Sequence, residues 1–205
     1  MKISKFVSVI KNTGQCIVIH MQNEIYLSTG ASIYKASEFP EITGSAQIAA
    51  VLDIEPKKLK KIVIEEVHSK SRENICGFDM GCTAGEMEVT RLDTVAVVDG
   101  NPYTALKSEN GEMIFFDEEL LAPLQDRIKN CDDYLYFAVR ANGKGERYIV
   151  IKDGFEVLGV ILPAKVLSEK YIYNLRNFLS MCVSQFEIEK NAWKPGEEDN
   201  TEDNG

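Results

Sequence analysis

The residues Arg147 to Val166, RYIVIKDGFEVLGVILPAKV, decide the fold. Tyr148 to Ile151 is an apolar run, and Lys152-Asp153-Gly154 follows it as a turn, glycine taking the positive φ that a β-branched residue resists. Val157 to Leu162 then runs back as a second apolar strand. Two strands this close bury a shared face only as a hairpin inside a larger sheet, and Pro163, which has no N–H, ends the ladder.

Upstream, Tyr134 to Arg140 reads as a further strand. Downstream, from Ser168, the period changes. Tyr171, Leu175, Phe178, Leu179, Cys182, Val183 and Phe186 recur every three or four residues, which predicts a helix capped by Ser168 with Lys190 near its end. Past Trp193 no apolar side chain remains, so residues 193–205 are expected to be a disordered acidic tail.

In the N-terminal half, Lys5 to Ile10 fits a short helix or a strand equally. Cys16 to His20 and Glu24 to Leu27 read as a hairpin around Gln22-Asn23. After a loop through Pro40, Ser45 is suited to cap a helix over AQIAAVLDI, and Pro56 to open a second helical turn, PKKLKK. Ile62 to Val67 is strand-like. Ser69 to Gly85, with three glycines and little periodicity, reads as a long excursion or an irregular strand pair and is the best candidate for a mobile loop. Two β-rich runs, MEVT and TVAVV, fill Glu86 to Val98, and a hairpin joins Tyr103–Leu106 to Met113–Phe116. Asp117 then caps a helix starting EELLAPL, which Pro123 must kink or split.

These elements predict an α+β protein with a single domain over 1–192. It has two β-α-β-type halves, about 1–92 and 93–166, and is closed by a long C-terminal amphipathic helix, about 167–190. The repeat is read between Glu24–Val67 and Met113–Leu162, each a strand followed by a helical segment and more strand.

Composition sets bounds on function. The 205 residues are 44% hydrophobic and 27% charged, ordinary for a globular chain. No apolar run approaches the roughly 18 residues of a membrane span. Met1 to Asn12 alternates where a secretory leader has a continuous apolar block, so a cytoplasmic location is expected and no membrane partner. Five cysteines, Cys16, Cys76, Cys82, Cys131 and Cys182, at irregular spacing fit reduced thiols. The net charge is −9, but the last ten residues hold five acids and no base, which leaves −4 on the remainder. Charge alone therefore decides nothing about a nucleic-acid partner.

The segments IFFDEELLAPL, DDYLYFAVR and RYIVIKDGFEVLGVILPAKV, taken in order, resemble the last unit of bacterial sliding clamps, the rings that hold a replicative polymerase on DNA. That family has a Phe-Asn-x-x-Tyr-Leu helix start and a closing Met-Pro-x-Arg-Leu type segment. Here Phe116-Asp117-Glu118-Glu119-Leu120-Leu121 and Leu162-Pro163-Ala164-Lys165-Val166 stand in those places. The resemblance implies a sheet-backed domain with helices facing double-stranded DNA, and a hydrophobic pocket for partner peptides. Lys57, Lys58, Lys60 and Lys61, with Arg127 and Lys129, are the DNA-facing charges it implies, and Leu162, Pro163 and Ala164 the pocket border.

Catalytic patterns are weak beside this. Cys16, His20, His68, Cys76 and Cys82 match no common zinc spacing, and a Cys76 or Cys82 pair with His68 lacks an orienting group. Glu65-Glu66, Asp117-Glu118-Glu119 and Asp132-Asp133 are neighbouring acids, better explained as solvated edges and helix starts. Gly77, Gly81 and Gly85 lack the Gly-Lys-Ser/Thr ending of a phosphate loop. No catalytic residue, metal or cofactor is expected. The expected role is a clamp-like binding or scaffold protein of phage or prophage replication. The alternative is a small protein-interaction module without nucleic acid, whose helix from Ser168 docks on a second copy or a partner.

Overall fold

The computed structural model describes residues 1–21, 24–36, 39, 44–71, 75–81, 86–130 and 135–192. Tyr134, Asp132-Asp133, Cys82, Cys131, Gly85 and the tail from Trp193 lie outside them. The chain divides into two compact units, Met1–Ala164 and Lys165–Gly205, where the sequence reading draws one domain over 1–192.

The first unit runs α1 (Ile3–Thr13), β1 (Gln15–Met21), β2 (Glu24–Ser28), β3 (Ser32–Lys35), α2 (Ser45–Val51), α3 (Pro56–Leu59), β4 (Val63–His68), β5 (Met87–Val98), β6 (Asn101–Ser108) and β7 (Met113–Asp117). A 3-10 helix (Glu118–Leu124), α4 (Gln125–Asn130), β8 (Leu135–Ala141), β9 (Arg147–Asp153) and β10 (Glu156–Ile161) complete it. The architecture is α+β, with one ten-stranded sheet in the order β4-β1-β2-β3-β10-β9-β8-β5-β6-β7.

Local chemistry explains the elements. Phe6, Val7, Val9 and Ile10 are buried along one side of α1, which settles Lys5 to Ile10 as helix. Gly14 ends it at φ 73, its N–H donating to the Ile10 carbonyl at 2.8 Å. Asp117 caps the 3-10 helix, accepting from the Glu119 N–H at 2.9 Å. Pro123 divides the helical segment into a 3-10 turn and α4, and its carbonyl accepts from the Lys2 N–H at 2.8 Å. The two runs of Glu86 to Val98 form one strand with an irregularity between Arg91 and Val95, and that strand crosses the boundary between the expected halves.

The repeat is real in the backbone, but its members differ from those read in the sequence. A helix followed by an antiparallel three-strand meander occurs as α1-β1-β2-β3 and again as the 3-10 helix and α4 with β8-β9-β10. The copies meet at β3 and β10, where Ser32, Ile33 and Tyr34 lie opposite Ile161, Val160 and Gly159. The counterpart of the helix from Asp117 is therefore α1, not the lysine-rich segment. Asn12 donates to Glu119 at 2.9 Å, tying the two helices together.

Each face of the sheet has its own apolar layer. Cys16, Val18, Leu27, Tyr34, Phe116, Phe137, Ile149, Ile151, Leu158 and Ile161 point to the face roofed by α1, α2 and the 3-10 helix. Ile19, Tyr26, Ile33, Tyr148, Val150, Val157 and Val160 point to the other. The register shift in β10 between Val157 and Gly159 explains how Val157 and Val160 share a face, because one extra residue reverses the alternation.

Residues 75–81 take the irregular strand-pair form of the two expected for this stretch. Ile75 and Met80 are buried against the second face, and Phe78 stacks edge-on to Tyr148 with ring centroids 5.2 Å apart. Ile75 and Phe78 bridge across Cys76-Gly77, both at positive φ, as in the tight hairpin turn that favours such residues. Cysteine is not a residue that announces positive φ, so the sequence hides this turn.

The second unit contains α5 (Glu169–Ala192), two residues longer than expected at its C-terminal end. The Ser168 hydroxyl accepts from the Tyr171 N–H at 3.2 Å, as its capping role predicts. Among the described residues, no helix is long and apolar enough to cross a membrane.

Candidate functional site

The helix-bearing face has a groove of about 250 Å³ where the two repeat units meet. Ala36, Phe39, Val51, Leu124 and Leu158 make its apolar wall, and Lys35, Arg127 and Glu156 its polar rim. β3 and β10 supply Lys35 and Glu156, while α4 supplies Arg127. Lys35 Nζ lies 2.7 Å from Glu156 and 3.2 Å from Glu24, and Arg127 sits 3.4 Å from the other Glu156 oxygen. Burial alone lowers the Lys35 pKa, but hydrogen bonds and charge from Glu156 and Glu24 outweigh it and raise the group above its ordinary value. The rim thus holds charge on both sides of an apolar floor, a lining suited to the side chains of an amphipathic segment.

The expected basic residues belong to this same face but form two groups. Lys57, Lys58, Lys60 and Lys61 are exposed on and after α3, whose Leu59 packs against the layer beneath, and Lys58 pairs with Glu55 at 3.1 Å. Arg127 and Lys129 are exposed on α4. Across residues 2–13, 45–61 and 118–130, which roof the sheet, nine basic side chains stand against five acidic ones, so these segments carry +4 in a chain of −9. Lys2, Lys5 and Lys11 on and beside α1 contribute three of the nine, and the sequence alone does not single them out because it leaves the helix itself undecided.

Leu162, Pro163 and Ala164 have a different place from the groove. The Leu162 N–H donates to the Ala31 carbonyl at 2.9 Å and the Ala164 N–H to the Phe115 carbonyl at 2.7 Å. The segment thereby joins the end of β10 to β7, at the far end of the strand order, and the sheet curls to let it. Leu162 packs with the second-face layer.

That second face holds an ion cluster which the sequence did not signal. Glu86 contacts Lys152 through one oxygen and Arg140 through the other, with Arg140 Nη2 at 2.7 Å. Arg140 and Lys152 are 7% and 2% exposed, so these charges persist only because each is paired. Arg140 also donates to the carbonyls of Asp79 at 2.8 Å and Gly81 at 3.0 Å, which clips residues 75–81 onto the sheet. Burial on its own raises the Glu86 pKa, but the hydrogen bonds from Lys152 and Arg140 and their charges bring it below the ordinary value.

The residues weighed for metal or nucleophilic chemistry are scattered. His20 and His68, opposite each other on parallel strands, stack with centroids 5.1 Å apart, and His20 Nε2 is 3.6 Å from Glu66. Cys16 is buried, and its thiol is pushed up to about 12 by that burial. Cys76 is exposed, yet partial burial raises its pKa as well, the opposite of an activated nucleophile. Among the described residues, no group of three His, Cys, Asp or Glu side chains is placed to hold a metal. Asp117 serves as a cap, Glu118 pairs with Arg91 at 2.8 Å and Glu119 accepts from Asn12.

The fold therefore defines an α+β protein with a duplicated helix-and-meander unit on one continuous sheet. Comparisons with family models, with curated proteins and with solved structures find no match to this chain.

Proposed function

We propose that this chain is a non-enzymatic, clamp-like binding or scaffold protein of phage or prophage DNA replication, whose helix-bearing face lies along duplex DNA. The observation that carries the reading is the arrangement of α1 and the 3-10 helix side by side across the join of two meanders, on a face whose roofing segments carry +4. A net positive helical face gives affinity through phosphates without reading bases, which is what a sliding contact requires. The groove at the join, with its apolar wall and charged rim, takes the part of the peptide-binding pocket.

The test is fluorescence anisotropy of a labelled duplex over a salt series. The parent protein is expected to bind at low salt with log affinity falling linearly in log salt. Reversal of Lys57, Lys58, Lys60 and Lys61 to glutamate is expected to flatten that slope by up to about four phosphate contacts' worth. A parent protein that shows no salt-dependent binding overturns the DNA part of the reading. A second reading, an interaction module without nucleic acid, is favoured by the exposed apolar side chains of α5.

A further inference from the structure

α5 supports an inference that stands independently of any DNA partner. The helix has 24 residues, and none of them is buried. At the helical rise it is about 36 Å long, and in proteins most of a helix's stability comes from packing its apolar face. Its large apolar side chains include Leu175, Leu179 and Phe186 at 37%, 53% and 63% exposure.

Their spacing identifies the occupant. Ile172, Leu175, Leu179, Cys182 and Phe186 follow one another by three, four, three and four residues, the a and d positions of successive heptads. The opposite row is Lys170, Asn177, Ser184 and Asn191, polar throughout. A seam that repeats every 3.5 residues matches a second helix with the same repeat, and the nearest source is another copy of this chain.

We infer that α5 is a dimerisation element, pairing in parallel with α5 of a second copy as a two-stranded coiled coil. Parallel alignment sets all five layers against themselves, apolar on apolar. Antiparallel alignment instead opposes Phe186 to Ser168 or Ile172 to Glu189. A β-branched residue at a followed by leucine at d, as in Ile172 and Leu175, favours two strands. The flanking pairs are compatible, with Tyr171 facing Arg176, Phe178 facing Val183 and Gln185 facing Lys190 of the other copy, and no like charges oppose. Seven large apolar side chains per copy at roughly 100 Å² each bury on the order of 1,400 Å² in total, within the range of specific interfaces.

The experiment uses the full chain, with multi-angle light scattering over a concentration series. The parent is expected to have twice the chain mass. Leu179→Asp is expected to raise the dissociation constant about a hundred-fold or more, since it buries a charge in the central layer. Met181→Asp, on the outer side, is expected to leave it unchanged. A variant with serine at Cys76, Cys82 and Cys131, alanine at Cys182 and Ile172→Cys adds the orientation, because position 172 lies beside its own copy when the helices run parallel and about 15 Å or more along the axis from it in either antiparallel alignment, beyond the reach of a short bis-maleimide. A monomeric parent overturns the inference and assigns the apolar seam to the rest of its own chain, to a different protein or to a membrane surface. A dimer that survives Leu179→Asp, or that fails to link through position 172, overturns it equally.

Discussion

Gly159 is the position at which the join between the two repeat units can be tested most directly. A Cβ built there lies 2.9 Å from the Ile33 carbonyl oxygen, 3.2 Å from Leu124 Cδ1 and 3.3 Å from Tyr34 Cδ1. The first contact is with backbone held in the β3–β10 pairing, so it cannot be relieved by turning a side chain. Overpacking of this kind costs about 1–3 kcal/mol. Replacing glycine also restricts the unfolded chain, which returns about 0.4–1 kcal/mol. Gly159→Ala is therefore expected to destabilise by about 1–2 kcal/mol, or roughly 2–8 °C in Tm for a body of this size. Gly143→Ala is the control, since nothing lies within 4 Å of its Cβ and its φ is not positive. It is expected to be neutral or slightly stabilising. Urea denaturation followed by near-UV circular dichroism of the buried tyrosines Tyr26, Tyr34 and Tyr148 provides the measurement. Equal midpoints for the two variants refute the close approach at the join.

Two further outcomes accompany the DNA and dimer experiments. Glu86→Gln leaves Lys152 buried without its counter-charge and Arg140 with only the Asp79 carboxylate, 3.8 Å away, and is expected to cost about 3–5 kcal/mol near neutral pH. Because the folded-state pKa of Glu86 lies below its ordinary 4.5, the parent's advantage is full above that value and is lost as pH falls through the folded one. Lys152 lies above its ordinary 10.5, so its share persists until pH rises past that point. Thermal melts of parent and variant should differ by a constant amount through the neutral range and converge in acid; a constant gap down to pH 2 (roughly the limit of carboxylate titration) contradicts the pairing. For the thiols, native-state labelling at mildly alkaline pH is expected to spare Cys16, with Cys76 no faster than a free thiol. Rapid Cys76 labelling would revive a nucleophilic role.

The parts of the fold that are legible in the sequence are those with a clean period. The hairpin of β9 and β10 shows its alternation and turn, and α5 shows its stripe. α1 is ambiguous because Phe6, Val7, Val9 and Ile10 fall in a window too short to separate the two periods. That ambiguity displaces the whole repeat, since the true partner of the helix after Asp117 cannot be recognised without it. The turn at Cys76-Gly77 stays hidden behind a residue type that rarely adopts positive φ. Glu86, Arg140 and Lys152 stand in three separate elements, and Lys152 looks like part of a turn signal when it is the last buried residue of β9. Of the candidate site, the basic residues can be seen as a run, but the groove cannot, because it exists only once β3, β10, α2 and α4 converge.

The link from Ala164 to Phe115 has one more consequence. An open sheet offers two rims on which foreign strands can grow, the usual seed of fibrous self-assembly. Here β7 carries a bridge from the protein's own return segment at Phe115, while β4 presents the exposed charges of Glu65 and Glu66 along the other rim. Such a molecule has fewer free strand groups on which its own copies could zip together.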